Sequence, residues 1–260
     1  MIAAFAAGSS LVSMVAHAGL SDFYVTNTFG EIYQVDGQTL ESNQVSQLGN
    51  TSNLNEILYI GNGEIIASLG GTMLRHNINT GAEEIVFRMS DHIEPGALAI
   101  GSGLAMTTSG DIFFTASIFS AGNPTRRMAG SYNLATDVFV DIADVDSSAS
   151  FFDHHQIGVD VFISADHNHQ IVSVLNGATG DIVIDYNVGF GVVSFFESDG
   201  GIFAVGRTGG LYSFDVDDGT AEFIGDITGI AGDLIGATVP TSGSFAIFGL
   251  MGIAATRRRR

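Results

Sequence analysis

Gly200-Gly201-Ile202-Phe203-Ala204, Leu211-Tyr212-Ser213-Phe214-Asp215, Asp217-Asp218-Gly219 and Ala221-Glu222-Phe223-Ile224 follow one another with little between them. Three strand-like runs are punctuated by Gly and by short polar residues, which tolerate the positive φ angles of tight hairpins. The same order recurs upstream. A Gly- or Asp-led apolar run appears at Gly63–Ala67, Gly110–Phe114 and Asp160–Ile163. A second run ending in Asp or Asn follows it at Leu74–Asn77, Ser131–Asn133 and Val172–Asn176, as it does at Ile32–Asp36 near the front. Turns such as Asn79-Thr80-Gly81 and Ala178-Thr179-Gly180 then lead into Glu84–Phe87 and Ile182–Ile184.

The Asp and Asn landmarks at 36, 77, 133, 176 and 215 are spaced by 41, 56, 43 and 39 residues. A period near 40 with about four strands per unit is the mark of a β-propeller. Continuous apolar runs suit strands covered on both faces, as between stacked blades. The reading is an all-β propeller of about five four-stranded blades over residues 19–238. A sixth blade fits if the stretch Ile118–Arg127 hides an irregular strand pair. The front opens on Asp22-Phe23-Tyr24-Val25 with no earlier partner, so the N-terminal strand is expected to complete the last blade and leave no open sheet edge.

Composition agrees. Gly is abundant at 34, Pro scarce at 3, and 19 Phe supply much of the large apolar volume. There is no Lys, and 28 acidic residues face nine Arg, four of them terminal. Such a surface repels nucleic acid and anionic headgroups. With no Cys, disulfides, thiol nucleophiles and Cys-ligated metal are excluded; with no Lys, so is Schiff-base chemistry.

Both ends read as addresses rather than fold. Residues 1–18 are apolar and small and finish in Ala16-His17-Ala18, an A-x-A signature with signal cleavage after Ala18. No Lys or Arg precedes that apolar stretch. At the back, Val239-Pro240 is followed by a polar spacer, an apolar segment Phe245–Ala255 and Arg257-Arg258-Arg259-Arg260. Eleven apolar or small residues fall short of the ~20 of a bilayer crossing. The segment would hold the chain at the inner membrane, with the arginines on the cytoplasmic side.

This tail resembles the PEP-CTERM sorting signal, with Val-Pro-Thr-Ser where Val-Pro-Glu-Pro is usual. The resemblance implies signal peptidase and an exosortase-like protease as processing partners, transient membrane anchoring, and release to the cell surface, outer envelope or extracellular matrix. An ordinary terminal anchor is the alternative. Tyr24-Val25-Thr26-Asn27, with Ile32–Asp36 after it, is similar to the YVTN family of β-propeller repeats, and so is His169–Val174 with Ala178-Thr179-Gly180. That likeness implies fold, not function.

Chemistry is faint. Asp153-His154-His155 reads as a loop before one strand, and Asp166-His167-Asn168-His169 as the loop after it. His154, His155, Asp166, His167 and His169 would make a calcium or transition-metal site, or an acid–base pair, if the loops meet; otherwise they are solvated. His76 and His92 look isolated. Asp217-Asp218 and Asp144 with Asp146 could bind Ca²⁺ or flank a glycosidic bond, although adjacent acidic residues in β-turns are normally turn formers. Arg126, Arg127 and Arg207 can meet an acidic glycan or pair with nearby carboxylates. No G-x-S-x-G elbow, P-loop or H-E-x-x-H is present, and no cofactor is expected. The functional expectation is an exported, non-catalytic binding propeller for glycan, protein or ion. The alternative is a secreted glycoside hydrolase or lyase, which would need a central funnel of carboxylates and His.

Overall fold

A computed structural model describes residues 20–145, 151–166 and 170–240. The strands are β1 (Phe23–Asn27), β2 (Glu31–Val35), β3 (Ser42–Gln47), β4 (Leu54–Gly61), β5 (Glu64–Leu69), β6 (Thr72–Asn77), β7 (Glu83–Arg88), β8 (Leu98–Met106), β9 (Ile112–Phe119) and β10 (Arg126–Asn133). They continue as β11 (Val138–Asp144), β12 (Asp153–Gly158), β13 (Val161–Asp166), β14 (Ile171–Asn176), β15 (Ile182–Asn187), β16 (Val192–Ser198), β17 (Gly201–Gly206), β18 (Gly210–Phe214), β19 (Ala221–Asp226) and β20 (Leu234–Thr238). They form five antiparallel four-stranded blades, ordered β20-β1-β2-β3, β4-β5-β6-β7, β8-β9-β10-β11, β12-β13-β14-β15 and β16-β17-β18-β19. Neighbouring first strands touch in sequence around a ring, β20–β4–β8–β12–β16 and back to β20.

The Asp and Asn landmarks are the turns between third and fourth strands. Oδ1 of Asp36, Asn77, Asn133 and Asn176 each accepts two backbone N–H groups, two and three residues on, and Asp215 accepts that of Asp217. Each landmark's carbonyl also accepts the N–H four residues later, at Leu40, Gly81, Asp137, Gly180 and Gly219. Those five residues have φ between 56° and 78°, so Gly or a short polar residue suits the position and Leu40 is there at some strain.

Burial explains the apolar runs. Five hydrophobic clusters occupy the five blade-to-blade interfaces. Both faces of each second strand are covered, which is why β5 and β13 read as continuous apolar segments. Between blades three and four Phe113 stacks on Phe162 with centroids 3.9 Å apart. A Cβ on Gly177 would lie 2.6 Å from the Phe162 ring, so that glycine admits the pair.

Closure joins the two ends of the propeller, as the sequence predicts, in a specific order. The C-terminal β20 takes the innermost place and β1 lies beside it, with Val25 opposite Ala237. Asn27 of the Tyr-Val-Thr-Asn motif is fully buried. Its Oδ1 accepts from the N–H groups of Phe29 and Glu31, and its Nδ2 donates to Glu31 Oε2 at 2.7 Å and to the Ala231 carbonyl at 2.8 Å. The motif thus shapes the β1–β2 turn and ties it to the segment leading into β20. Leu98–Phe119 and Arg126–Asn133 are two ends of one long hairpin system, so Ile118–Arg127 holds no extra strand pair and the blade count is five.

Asp153-His154-His155, read from the sequence as a loop, lies in β12. The reason is general to this fold. First strands line a narrow axis, and in β8 and β12 small and polar residues replace the apolar runs that mark the second strands. Among the described residues no helix is long and apolar enough to cross a membrane. Residues 1–18, expected from the sequence to be a signal peptide, and residues 241–260 of the expected sorting segment 239–260 lie outside the described residues.

Candidate functional site

In a four-stranded antiparallel blade, the turn between second and third strands shares a rim with the connections to neighbouring blades. On this rim lie the starts of the first strands, among them Asp153, Glu56 and Leu98, and the ends of the second strands, Asp166 and Phe119. The β12–β13 register sets Asp153 opposite Ala165 and His155 opposite Ile163, so Asp166 returns to the level of Asp153. Two regions of this rim carry chemistry.

The first is the axis itself. Glu56 of β4 and Asp153 of β12 come from blades two and four, yet their carboxyls meet within hydrogen-bonding reach. Exposure decides their character: Glu56 is 0% and Asp153 2% exposed. Glu56 Oε1 accepts the Ile57 N–H at 2.8 Å, and Asp153 Oδ2 accepts the Phe195 N–H at 2.5 Å. Ser194 of β16 touches both carboxyls, but its hydroxyl donates to the Ala237 carbonyl at 2.9 Å. Its single proton cannot serve both, so Glu56 Oε2 meets no N–H or O–H donor. Burial, then the Asp153 charge, holds the Glu56 carboxyl well above its ordinary range. Burial pushes Asp153 up to about 7. A Cβ on Gly236 would lie 2.4 Å from Glu56 Oε1, so the seat is closed by backbone.

The histidines divide. His154 is 2% exposed, with Nε2 3.0 Å from Thr115 Oγ1 and Nδ1 2.7 Å from Ser164 Oγ. Both ring nitrogens are therefore engaged, and burial lowers its pKa to about 3. Gly103 makes room for it, since a Cβ there would lie 2.4 Å from the ring. His155 points to the opposite face of β12, the face of Asp153. Its Nε2 is sealed from solvent without a partner, and burial lowers its pKa to about 4. Asp166 is buried and partnered, while His167 and His169 lie outside the described residues. Among the described residues no three His, Asp or Glu side chains converge as a metal site. His76 and His92 are not isolated. His76 bridges Ser46 Oγ at 2.8 Å and Glu83 Oε1 at 3.1 Å, and His92 stacks on Phe87.

The second region is a cleft of about 330 Å³ on blade three, between the β7–β8 connection and the β9–β10 turn. Its walls include His92, Glu94, Asn123, Arg126, Phe139 and Asp141. Strands β8, β9 and β10 run eight or nine residues, where most others have five or six, and the extra length raises this wall. Paired across β8 and β9, Leu98 and Phe119 are 72% and 42% exposed beside it. Arg126 donates to both oxygens of Asp141, at 2.8 and 3.0 Å, and to Asp144 Oδ1 at 2.6 Å. The Asp141 bond foremost raises the guanidinium's pKa. Arg207 likewise pairs with Asp233 at 2.9 Å. Sequence reasoning missed both Glu56 and the cleft. Glu56 is a lone acid inside Leu54-Asn55-Glu56-Ile57-Leu58, and that break in an apolar run was the available signal.

No family model matches the chain, and no curated protein matches it. Solved structures do. A protein of unknown function from Bacteroides caccae matches with TM-score 0.53 at 11% identity, covering 80% of this chain and 73% of the other. Glutaminyl cyclase from Myxococcus xanthus matches with TM-score 0.46 at 11% identity over 88% and 79% of the two chains. A luciferin-regenerating enzyme matches with TM-score 0.46 at 11% identity over 86% and 81%. At 11% identity the first of these likenesses is one of fold alone, and the strand order makes the chain a five-bladed β-propeller.

Proposed function

We propose that the chain is an exported, non-catalytic binding protein of the cell surface or its polysaccharide matrix, and that it holds neutral glycan units in the blade-three cleft. One observation carries the reading: the roomy, polar-and-apolar concavity sits on the rim, while the axial carboxylates are sealed. At about 330 Å³ the cleft falls at the small end of the ~300–1,000 Å³ range of ligand sites. Phe139 and the His92 ring offer apolar faces for a sugar ring, and Glu94 and Asn123 offer hydrogen-bonding groups for hydroxyls. The Arg126 charge is already neutralised by two carboxylates, so an anionic ligand finds no free cation here. Asp141 has both oxygens on Arg126, which disfavours a hydrolase reading with Glu94 and Asp141 as its acid pair.

Calorimetric titration with neutral and uronic-acid oligosaccharides tests this. Binding of a neutral oligomer, weakened at least tenfold in Glu94→Gln or Asn123→Ala, is expected. Binding of acidic oligomers alone, or release of reducing sugar from any, would contradict it. Export has its own test. Removing residues 239–260, which carry Val239-Pro240 and Arg257–Arg260, is expected to change envelope retention; unchanged fractionation would end the sorting reading.

A further inference from the structure

We propose that Glu56 and Asp153 form a proton-binding site on the ring axis, in which a proton held between the two carboxyls clamps blades two, four and five together and its loss loosens the inner ring. The carboxyls approach from different blades in a place without water access. Each already has one oxygen on a backbone N–H, of Ile57 and of Phe195. Glu56 Oε2 has no donor other than a proton on the pair itself. The Gly236 backbone lies close against Glu56, since a Cβ at 236 would come 2.4 Å from Oε1 and 2.9 Å from the Ile57 nitrogen. Two ionised carboxylates cannot share such a seat. The same carboxyls tie β4 to β12, and β12 to β16 through the Phe195 N–H, while Gly236 of β20 packs against Glu56.

Little else on the axis titrates. Strands β8 and β20 carry no ionisable side chain, and β16 carries only exposed Glu197. β4 adds Tyr59, which stacks on Tyr24 away from the pair. β12 adds His154, turned toward Thr115 and Ser164, and His155 on the face of Asp153.

The sign follows from burial. Asp153 titrates at about 7 and Glu56 well above its ordinary range, whereas both return to near ~4 in the unfolded chain. The native state therefore retains protons that the unfolded chain has released. Stability from the clamp is complete below the unfolded values and falls as pH rises through about 7. His154 and His155, lowered to about 3 and about 4, act oppositely, but only below their unfolded value near ~6.5. Above about pH 7.5 that opposing contribution is spent.

Thermal melting of the full chain between about pH 6.5 and pH 9 tests the proposal, with Tm expected to fall on the order of 5 °C. Glu56→Gln and Asp153→Asn keep a hydrogen-bonding amide in place of the titrating acid, and each is expected to remove most of that fall. An identical fall in both variants would overturn the proposal. Side-chain ¹³C-carboxyl NMR of the unsubstituted chain decides even where the variants do not fold. A resonance titrating at about 7 or higher is expected, and carboxyls all titrating in the ordinary range would overturn it.

Discussion

The axis and the blade-three cleft are built from the same kinds of side chain and do opposite things with them. Both hold two carboxylates and a histidine. On the axis, Glu56 and Asp153 are sealed, share hydrogen bonds with backbone N–H groups and sit above their ordinary pKa ranges. In the cleft, Asp141 is solvated and neutralised by Arg126, and Glu94 is exposed. His154 is fixed by two hydroxyls at the axis; His92 is an aromatic face stacked on Phe87. The difference is one of room. Glycines 103 and 236 let backbone and ring close over the axis, while the long strands of blade three hold its turn away from the ring. Polar groups without water cement blades together; the same groups with water are free to meet a ligand.

Substitution should expose that contrast, most strongly at the axis. Asp153→Ala leaves the Phe195 N–H and the Glu56 carboxyl buried without their partner, and about 3 kcal/mol of stability is expected to go. Asn123→Ala on the cleft wall should change stability by under about 0.5 kcal/mol. Urea unfolding of the two variants reads the ratio directly, and equal losses would dissolve the comparison. A glycine pair gives the next effect. Gly236→Ala drives a Cβ into Glu56 Oε1 and is expected to cost about 2 kcal/mol. Gly122→Ala in the β9–β10 turn has nothing within 4 Å and only φ +81° to strain it, so about 1 kcal/mol is expected. After Asn123→Ala, the mildest change is Arg126→Gln. Its exposed ion pairs should be worth no more than about 1 kcal/mol, and a larger loss would show that the cleft wall is held more rigidly than its exposure implies.

The legible part of the fold was the part with period and punctuation. Second strands such as Gly201–Gly206 announce themselves by unbroken apolar residues, because both faces are covered. Asp36, Asn77, Asn133, Asn176 and Asp215 announce the turns, because their side chains cap the following backbone. Two of the first strands, β8 and β12, were silent. Leu98–Met106 carries two glycines, and Asp153–Gly158 is polar, since side chains near an axis are selected for size rather than apolarity. That silence hid the site, because Glu56 and Asp153 are 97 residues apart and only the ring brings them together. It also made Asp153-His154-His155 read as a loop. The cleft was illegible for another reason: strand length, not residue type, creates it.

The most direct measurement is amide hydrogen exchange of the full chain with and without a neutral oligosaccharide selected from the calorimetric panel. Added protection is expected in Met89–Ala97 and Ser120–Arg126, with β4, β12 and β16 unchanged. Protection centred on Leu54–Gly61 and Asp153–Gly158, with binding lost in Glu56→Gln and retained in Asn123→Ala, would place the ligand on the axis and contradict it.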